Sequence, residues 1–60
     1  MKINVDSVRI GDKVMHPVDG RLHEVKRIQQ SYGHQDYVDF GFKDAPVLQV
    51  WKAGRVSVFL

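Results

Sequence analysis

The sequence contains no cysteine and only two prolines, and its apolar residues never form a long run. Without cysteine, disulfides and cysteine-ligated metal sites are excluded. No segment approaches the roughly 18–20 apolar residues that a membrane-spanning helix needs. The first residues include Lys2 and Asp6 and leave no apolar region typical of a signal peptide. We therefore expect a cytoplasmic protein that does not associate with membranes.

Charge of either sign is also limited, because nine Lys and Arg residues stand against seven Asp and Glu, for a net charge of +2. This balance excludes a polycation but allows weak attraction to nucleic acid. The 60 residues form one domain, and a chain of this length buries only about 60% of the surface that its unfolded form exposes. We expect one shallow site without a cofactor. An enzyme of this size would have to assemble its active site between subunits.

The apolar residues that are present alternate with polar ones, as Val38, Phe40 and Phe42 do. A period of two is typical of β-strands, and no segment has the spacing of a long helix. Turn residues divide the chain at short intervals. The predicted strands cover residues 3–10, 12–18, 21–29, 37–43, 47–51 and 55–60. This pattern predicts an all-β fold, a single small barrel of five or six antiparallel strands.

The Asp19-Gly20 pair is the strongest hairpin signal, because a two-residue type I′ turn needs positive φ at both central residues. Counting outward from such a turn pairs Lys13 with Lys26. Beyond this point Ile28 falls on the wrong face of the strand, so we expect a β-bulge near residues 26–28.

The same register places His16 opposite His23. Two opposed imidazoles can bind a divalent metal ion. The alternative is a solvated pair near the hairpin tip, and no third ligand is evident apart from the nearby Asp19. We therefore assign no metal site.

Strand alternation directs several aromatic side chains outward. If Leu48 and Val50 point into the core, Trp51 points out, and Phe59 does so in the last strand. Tyr32 and Tyr37 complete the set of candidate surface aromatics. Exposed aromatics on a small protein indicate an interface. For Trp51 three interpretations remain open: a core residue that plugs one barrel end, a subunit contact, or part of a ligand site.

These observations predict a non-catalytic binding module that docks on a protein partner or on a second copy of itself as a homo-oligomer. The candidate protein-binding residues are Gln49, Trp51 and Phe59. The alternative is a nucleic-acid-binding module, because aromatic side chains interleaved with basic ones bind single strands. Its candidate contacts are Lys13, Lys26, Arg27, Lys43, Lys52 and Arg55. We assign no catalytic residue, since Ser31 and Ser57 lack a plausible base.

The segment Val8-Arg9-Ile10-Gly11-Asp12-Lys13-Val14, followed by Asp19-Gly20 and Val25-Lys26-Arg27-Ile28, resembles the opening of small SH3-like barrels, including KOW and Tudor modules. The ending, Lys52-Ala53-Gly54 and then Val56-Ser57-Val58, resembles the short helical turn and final strand of such barrels. The resemblance implies a module for binding nucleic acid or protein, of a kind common in small bacterial and phage proteins.

One enzyme family has a similar architecture, the plasmid-borne type II dihydrofolate reductases. Gly11-Asp12-Lys13-Val14 and Leu48-Gln49-Val50-Trp51 resemble two of its segments. The resemblance implies that Gln49, Val50 and Trp51 from four subunits line a pore for folate and NADPH. His16 stands where the family has a functional lysine, and Trp51 stands where it has a tyrosine.

Overall fold

The computed structural model describes residues 1–59 and contains one antiparallel sheet of six strands. The strands are β1 (Lys2–Asn4), β2 (Lys13–His16), β3 (Arg21–Gln30), β4 (Tyr37–Phe42), β5 (Leu48–Trp51) and β6 (Arg55–Phe59), with one 3₁₀ turn at Val5–Ser7. The predicted all-β class is confirmed. Leu60, which the predicted last strand included, lies outside the described residues. No helix in the described part of the chain could cross a membrane.

The sheet has two open edges. Its strand order is β1-β6-β2-β3-β4-β5, so that within residues 1–59 β1 pairs only with β6 and β5 only with β4. The sheet is therefore not closed into the barrel that the sequence predicted. Both edge strands are short, with three residues in β1 and four in β5.

The hairpin between β2 and β3 differs from the prediction. His16 pairs with Arg21 across a four-residue loop of residues 17–20, and Lys13 pairs with Glu24 instead of Lys26. Only glycines have positive φ among residues 1–59, so Asp19 cannot take its place in a type I′ turn. The carbonyl of His16 instead accepts a hydrogen bond from Gly20 N–H at 2.9 Å.

The error in register is two residues, since Val14 pairs with His23 instead of Val25. Because side chains alternate with a period of two, a shift of two leaves every side chain on its predicted face. The predicted bulge is confirmed, since the β3–β4 register shifts between Val25 and Arg27. The bulge returns Ile28 to the core side, where it packs partly buried against the core.

The core is small and built mainly from valine. Phe40, Val14 and Val25 are fully buried. The remaining buried apolar residues are Val5, Val8 and Val58. The inward side chains of β5, Leu48 and Val50, pack only partly buried against this cluster. The core therefore thins toward the open edge at β5.

Candidate functional site

The four aromatic side chains predicted to face outward are all exposed: Tyr32 at 98%, Phe59 at 63%, Trp51 at 57% and Tyr37 at 39%. The interpretation of Trp51 as a core plug is therefore wrong. Trp51 lies directly opposite Tyr37 in the β4–β5 register. Together with Gln49, two residues earlier on the same face of β5, they form what we call the aromatic edge.

Within residues 1–59, the backbone of β5 presents groups at this edge that pair with no other strand. Beyond the strand, Lys52 N–H donates to the Asp36 carbonyl at 2.8 Å. Residues of an antiparallel strand alternate between bonding toward and away from the neighbouring strand. Leu48 and Val50 therefore bond toward β4, and the backbone groups of Gln49 and Trp51 point away from it. The Trp51 carbonyl accepts from Gly54 N–H at 2.9 Å, which leaves Trp51 N–H and both Gln49 groups at the open edge.

Side-chain hydrogen bonds fix the loop beside the aromatic edge. The Gln49 amide donates to Ser31 Oγ at 2.6 Å, across β4. Ser31 is only 4% exposed. The Gln30 amide donates to the carbonyls of His34 and Tyr37 at 2.7 and 2.9 Å. These hydrogen bonds restrain the aromatic edge and the loop beside it before a ligand binds. Less conformational entropy is therefore lost on binding.

An apolar cleft of about 340 Å³ opens on the other side of β5. Leu48 and Val50 line it from β5, and Val56 lines it from β6. The remaining lining residues are Met15, His16, Pro17 and Gly20 at the end of the β2–β3 hairpin, Arg55 and Ser57 of β6, and Lys2 of β1. Among residues 1–59, the β2–β6 register covers Lys13 and Val14, opposite Phe59 and Val58. The ends of β2 and β6 that line the cleft lie beyond these two pairs.

His16 closes the end of the cleft as a buried structural residue. Its Nδ1 accepts from Val18 N–H at 3.1 Å, and its Nε2 lies 2.8 Å from the Pro46 carbonyl. Since a carbonyl only accepts, Nε2 is the donor in this hydrogen bond. The ring also packs edge to face on Phe42 at 5.2 Å between centroids. His16 therefore joins the β2–β3 loop to the segment that leads into β5.

His23 faces the same side of the sheet, with its ring centroid 6.1 Å from that of His16. The predicted direct opposition of the two residues is wrong, because His16 pairs with Arg21. His23 Nε2 bonds Asp19 Oδ2 at 2.9 Å. Both nitrogens of His16 are occupied by backbone groups, and residues 1–59 contain no cluster of three or more candidate metal ligands.

Asp19 organises the hairpin loop through its carboxylate. Its Oδ1 accepts the Arg21 backbone N–H at 2.9 Å. This hydrogen bond lowers the pKa of Asp19 below its ordinary value, and the hydrogen bond from His23 lowers the pKa further.

The predicted nucleic-acid contacts are dispersed among acidic groups. Lys26 Nζ bonds Glu24 Oε2 at 2.9 Å, and Lys13 lies opposite Glu24 in the sheet. The hydrogen bond from Lys26 lowers the pKa of Glu24, and the charges of Lys26 and Lys13 lower it further. Lys43 lies with Lys26 around a small polar depression that is also lined by Glu24, His23 and Asp44. This part of the surface therefore has mixed charge.

The other three basic residues lie elsewhere. Arg27 packs over Gly41, where an added Cβ would come within 3.2 Å of Arg27 Cβ. Lys52 and Arg55 flank the turn between β5 and β6. The six predicted contacts therefore do not form one continuous basic face.

Phe59 is separated from the other two predicted protein-binding residues. It is the last residue of β6, whereas the turn that follows Trp51 leads into the first residue of that strand. Phe59 pairs with Lys13 of β2. Gln49 and Trp51 share β5. Sequence reasoning missed the roles of Ser31 and His16 in supporting β5, because the residues that they contact are 18 and 30 positions away.

Comparisons with protein families, with curated proteins and with solved structures find no match to this chain.

Proposed function

We propose that this protein is a non-catalytic interaction module that binds an extended segment of a protein partner by strand addition to β5. The observation that carries the proposal is the open edge of β5, where Gln49 and Trp51 direct backbone groups away from β4 beside the exposed Trp51 side chain. Main-chain hydrogen bonds supply affinity in this mode of recognition, and pockets for alternate side chains supply specificity.

Both kinds of interaction are available at β5. An added strand would bond to Gln49 N–H and C=O and to Trp51 N–H. Because side chains alternate along a strand, one set would lie beside Trp51 on the aromatic edge and the other would enter the apolar cleft beside Leu48 and Val50. The four residues of β5 contain neither proline nor charge, the features that commonly protect an edge strand from pairing.

Synthetic peptides with methylated backbone amides test strand addition without altering the protein. The probes have about seven residues. Threonine alternates with three cleft-facing positions, which are occupied by valine, valine and a variable residue, and each sequence is made in both chain directions. We expect calorimetric titration to detect binding. Methylating one alternate set of amides should abolish binding and methylating the other set should preserve it, since only one set faces β5. Equal effects of the two sets, or binding of no peptide, would contradict the proposal.

The variant Gln49→Pro tests the same edge from the protein side. It removes an N–H that points away from β4, a position where an edge strand tolerates proline, and should prevent peptide binding. Gln49→Ala is the matched control, because it also loses the hydrogen bond to Ser31 Oγ but keeps the backbone N–H. Far-ultraviolet circular dichroism verifies that both variants fold. If Gln49→Pro folds and binds like Gln49→Ala, the peptide does not pair with this N–H.

Analytical ultracentrifugation of the protein alone tests whether a second copy of the chain, and not a partner segment, binds at the β5 edge. A dimer that dissociates in Gln49→Pro and persists in Gln49→Ala would assign the β5 edge to self-association and overturn the peptide proposal. A monomer in both variants leaves the edge open for a partner segment.

A second candidate function is single-stranded nucleic-acid binding, favoured by the paired aromatic side chains of Trp51 and Tyr37. It predicts that a thymidine oligonucleotide binds and that its affinity falls steeply between about 50 and 200 mM salt. Strand addition through backbone groups predicts a much smaller dependence on salt. The mixed charge around Lys13, Lys26 and Lys43 favours the protein-binding proposal.

A further inference from the structure

The cleft beside β5 is lined by positively charged side chains that form no ion pair with another described residue. Among residues 1–59, its lining includes Lys2 and Arg55 and no acidic side chain. The ion pairs within residues 1–59 join His23 to Asp19 and Lys26 to Glu24, and neither involves these two cations. An apolar cleft with unneutralised cations at its rim is complementary to a ligand that is apolar and acidic.

The two cations lie close enough to meet one carboxylate. Lys2 pairs with Ser57, and Arg55 lies two residues before Ser57 on β6. Lys2 and Arg55 are therefore diagonal neighbours on one face of an antiparallel pair, at a separation of about 7–8 Å between backbones that long side chains can span. A guanidinium also binds carboxylates in a bidentate manner.

We propose that the segment bound at β5 is an acidic–apolar peptide, with two apolar side chains beside Leu48 and Val50 and a carboxylate at the next cleft-facing position, held by Arg55 and Lys2. This inference rests on the proposed strand addition and specifies its ligand. The cleft volume of about 340 Å³ is at the lower end of the range for ligand pockets, which suits a few side chains and not a folded domain.

The test compares three of the alternating peptides, with glutamate, glutamine or lysine as the variable residue, by calorimetric titration at low salt. We expect the glutamate peptide to bind about two- to fivefold more tightly than the glutamine peptide, the range for solvent-exposed ion pairs. The lysine peptide should bind most weakly. The preference for glutamate should disappear at about 1 M salt, where the screening length is about 3 Å.

Variants of the protein locate the preference. The double variant Lys2→Gln/Arg55→Gln should bind the glutamate and glutamine peptides equally. Lys43→Gln is the matched control, since Lys43 is an exposed cation that lies beside Glu24 and Asp44 and does not line the cleft, and it should retain the preference. Equal binding of the three peptides by the native protein would overturn this inference and leave strand addition standing. Failure of all three to bind would overturn the proposed function itself.

Discussion

At the scale of single residues, two polar side chains hold the regions around the site in place. His16 is 4% exposed and bonds backbone groups of two separate segments. Asp19 bonds the backbone of Arg21 and the ring of His23. Buried polar side chains are stable only when hydrogen-bonded, and among the described residues no buried side-chain nitrogen or oxygen lacks a partner.

Replacing His16 with alanine should destabilise the protein by about 2–3 kcal/mol, because the Val18 N–H and the Pro46 carbonyl lose their partner. Urea denaturation followed by circular dichroism measures the change in the free energy of unfolding. His34→Ala is the control for removing an exposed imidazole, and its effect should be smaller. Equal effects of the two variants would show that the hydrogen bonds of His16 contribute little to stability.

Asp19 should make stability depend on pH in the acid range. Because its pKa is lower in the folded chain than its ordinary value of 3.8, its carboxylate stabilises the folded state above about pH 4. This contribution is lost as the pH falls through the lower, folded-state pKa. The difference in the free energy of unfolding between the native protein and Asp19→Asn should therefore shrink with falling pH. A difference that is constant from pH 6 to pH 2 would contradict the assignment. The variant His23→Gln should retain part of the effect, since the Arg21 N–H remains.

At the scale of elements, the alternating pattern predicts the strands well and their partners less well. The pattern fixed which side chains face inward, and the misplacement of Ile28 correctly indicated the bulge in β3. The hairpin loop was mispredicted, because hydrogen bonds to the side chains of His16 and Asp19 stabilise a longer loop. A period of two carries no information on this choice, because both registers leave the same faces inward.

The four-residue loop leads to a prediction at Gly20, whose φ is +68°. Gly20→Ala should destabilise the protein by about 1–2 kcal/mol, the cost of the left-handed conformation for a residue with a Cβ. Apart from the two chain neighbours of Gly20, no described residue has an atom within 4 Å of the added Cβ, so the effect should come from the backbone alone. Gly20→Asn should cost less, since asparagine tolerates this conformation. Thermal or urea denaturation of the two variants provides the comparison, and an equal loss in both would contradict this explanation.

At the scale of the whole molecule, the open sheet has a small core with one large residue. The sequence predicted the alternating core side chains, including Phe40, but not the open edges. Whether the first and last strands of a sheet meet depends on strand length, twist and bulges, which a list of inward-facing residues does not specify. The position of Trp51 at an open edge, and the cleft behind it, could therefore be recognised only in the folded chain.

Phe40→Ala should remove much or all of the free energy of unfolding. Truncation of a buried phenylalanine costs about 3–5 kcal/mol, and a domain of this size has a total stability of about 3–9 kcal/mol. Phe40 is fully buried. Phe59→Ala is the matched control, because that ring is 63% exposed and its loss should have little effect. Circular dichroism at 25 °C distinguishes the two, and a cooperative, near-native unfolding transition for Phe40→Ala would contradict the assigned core.

The exposure of Trp51 gives the protein its own optical probe. Trp51 is the only tryptophan in the chain, and the residue is already 57% exposed to solvent. Excitation selective for tryptophan therefore reports on the β5 edge and on no other part of the molecule. Denaturation should shift the emission maximum only slightly, whereas a ligand that covers the indole should shift it to shorter wavelength. The same label-free spectrum can thus distinguish docking at β5 from binding elsewhere on the surface.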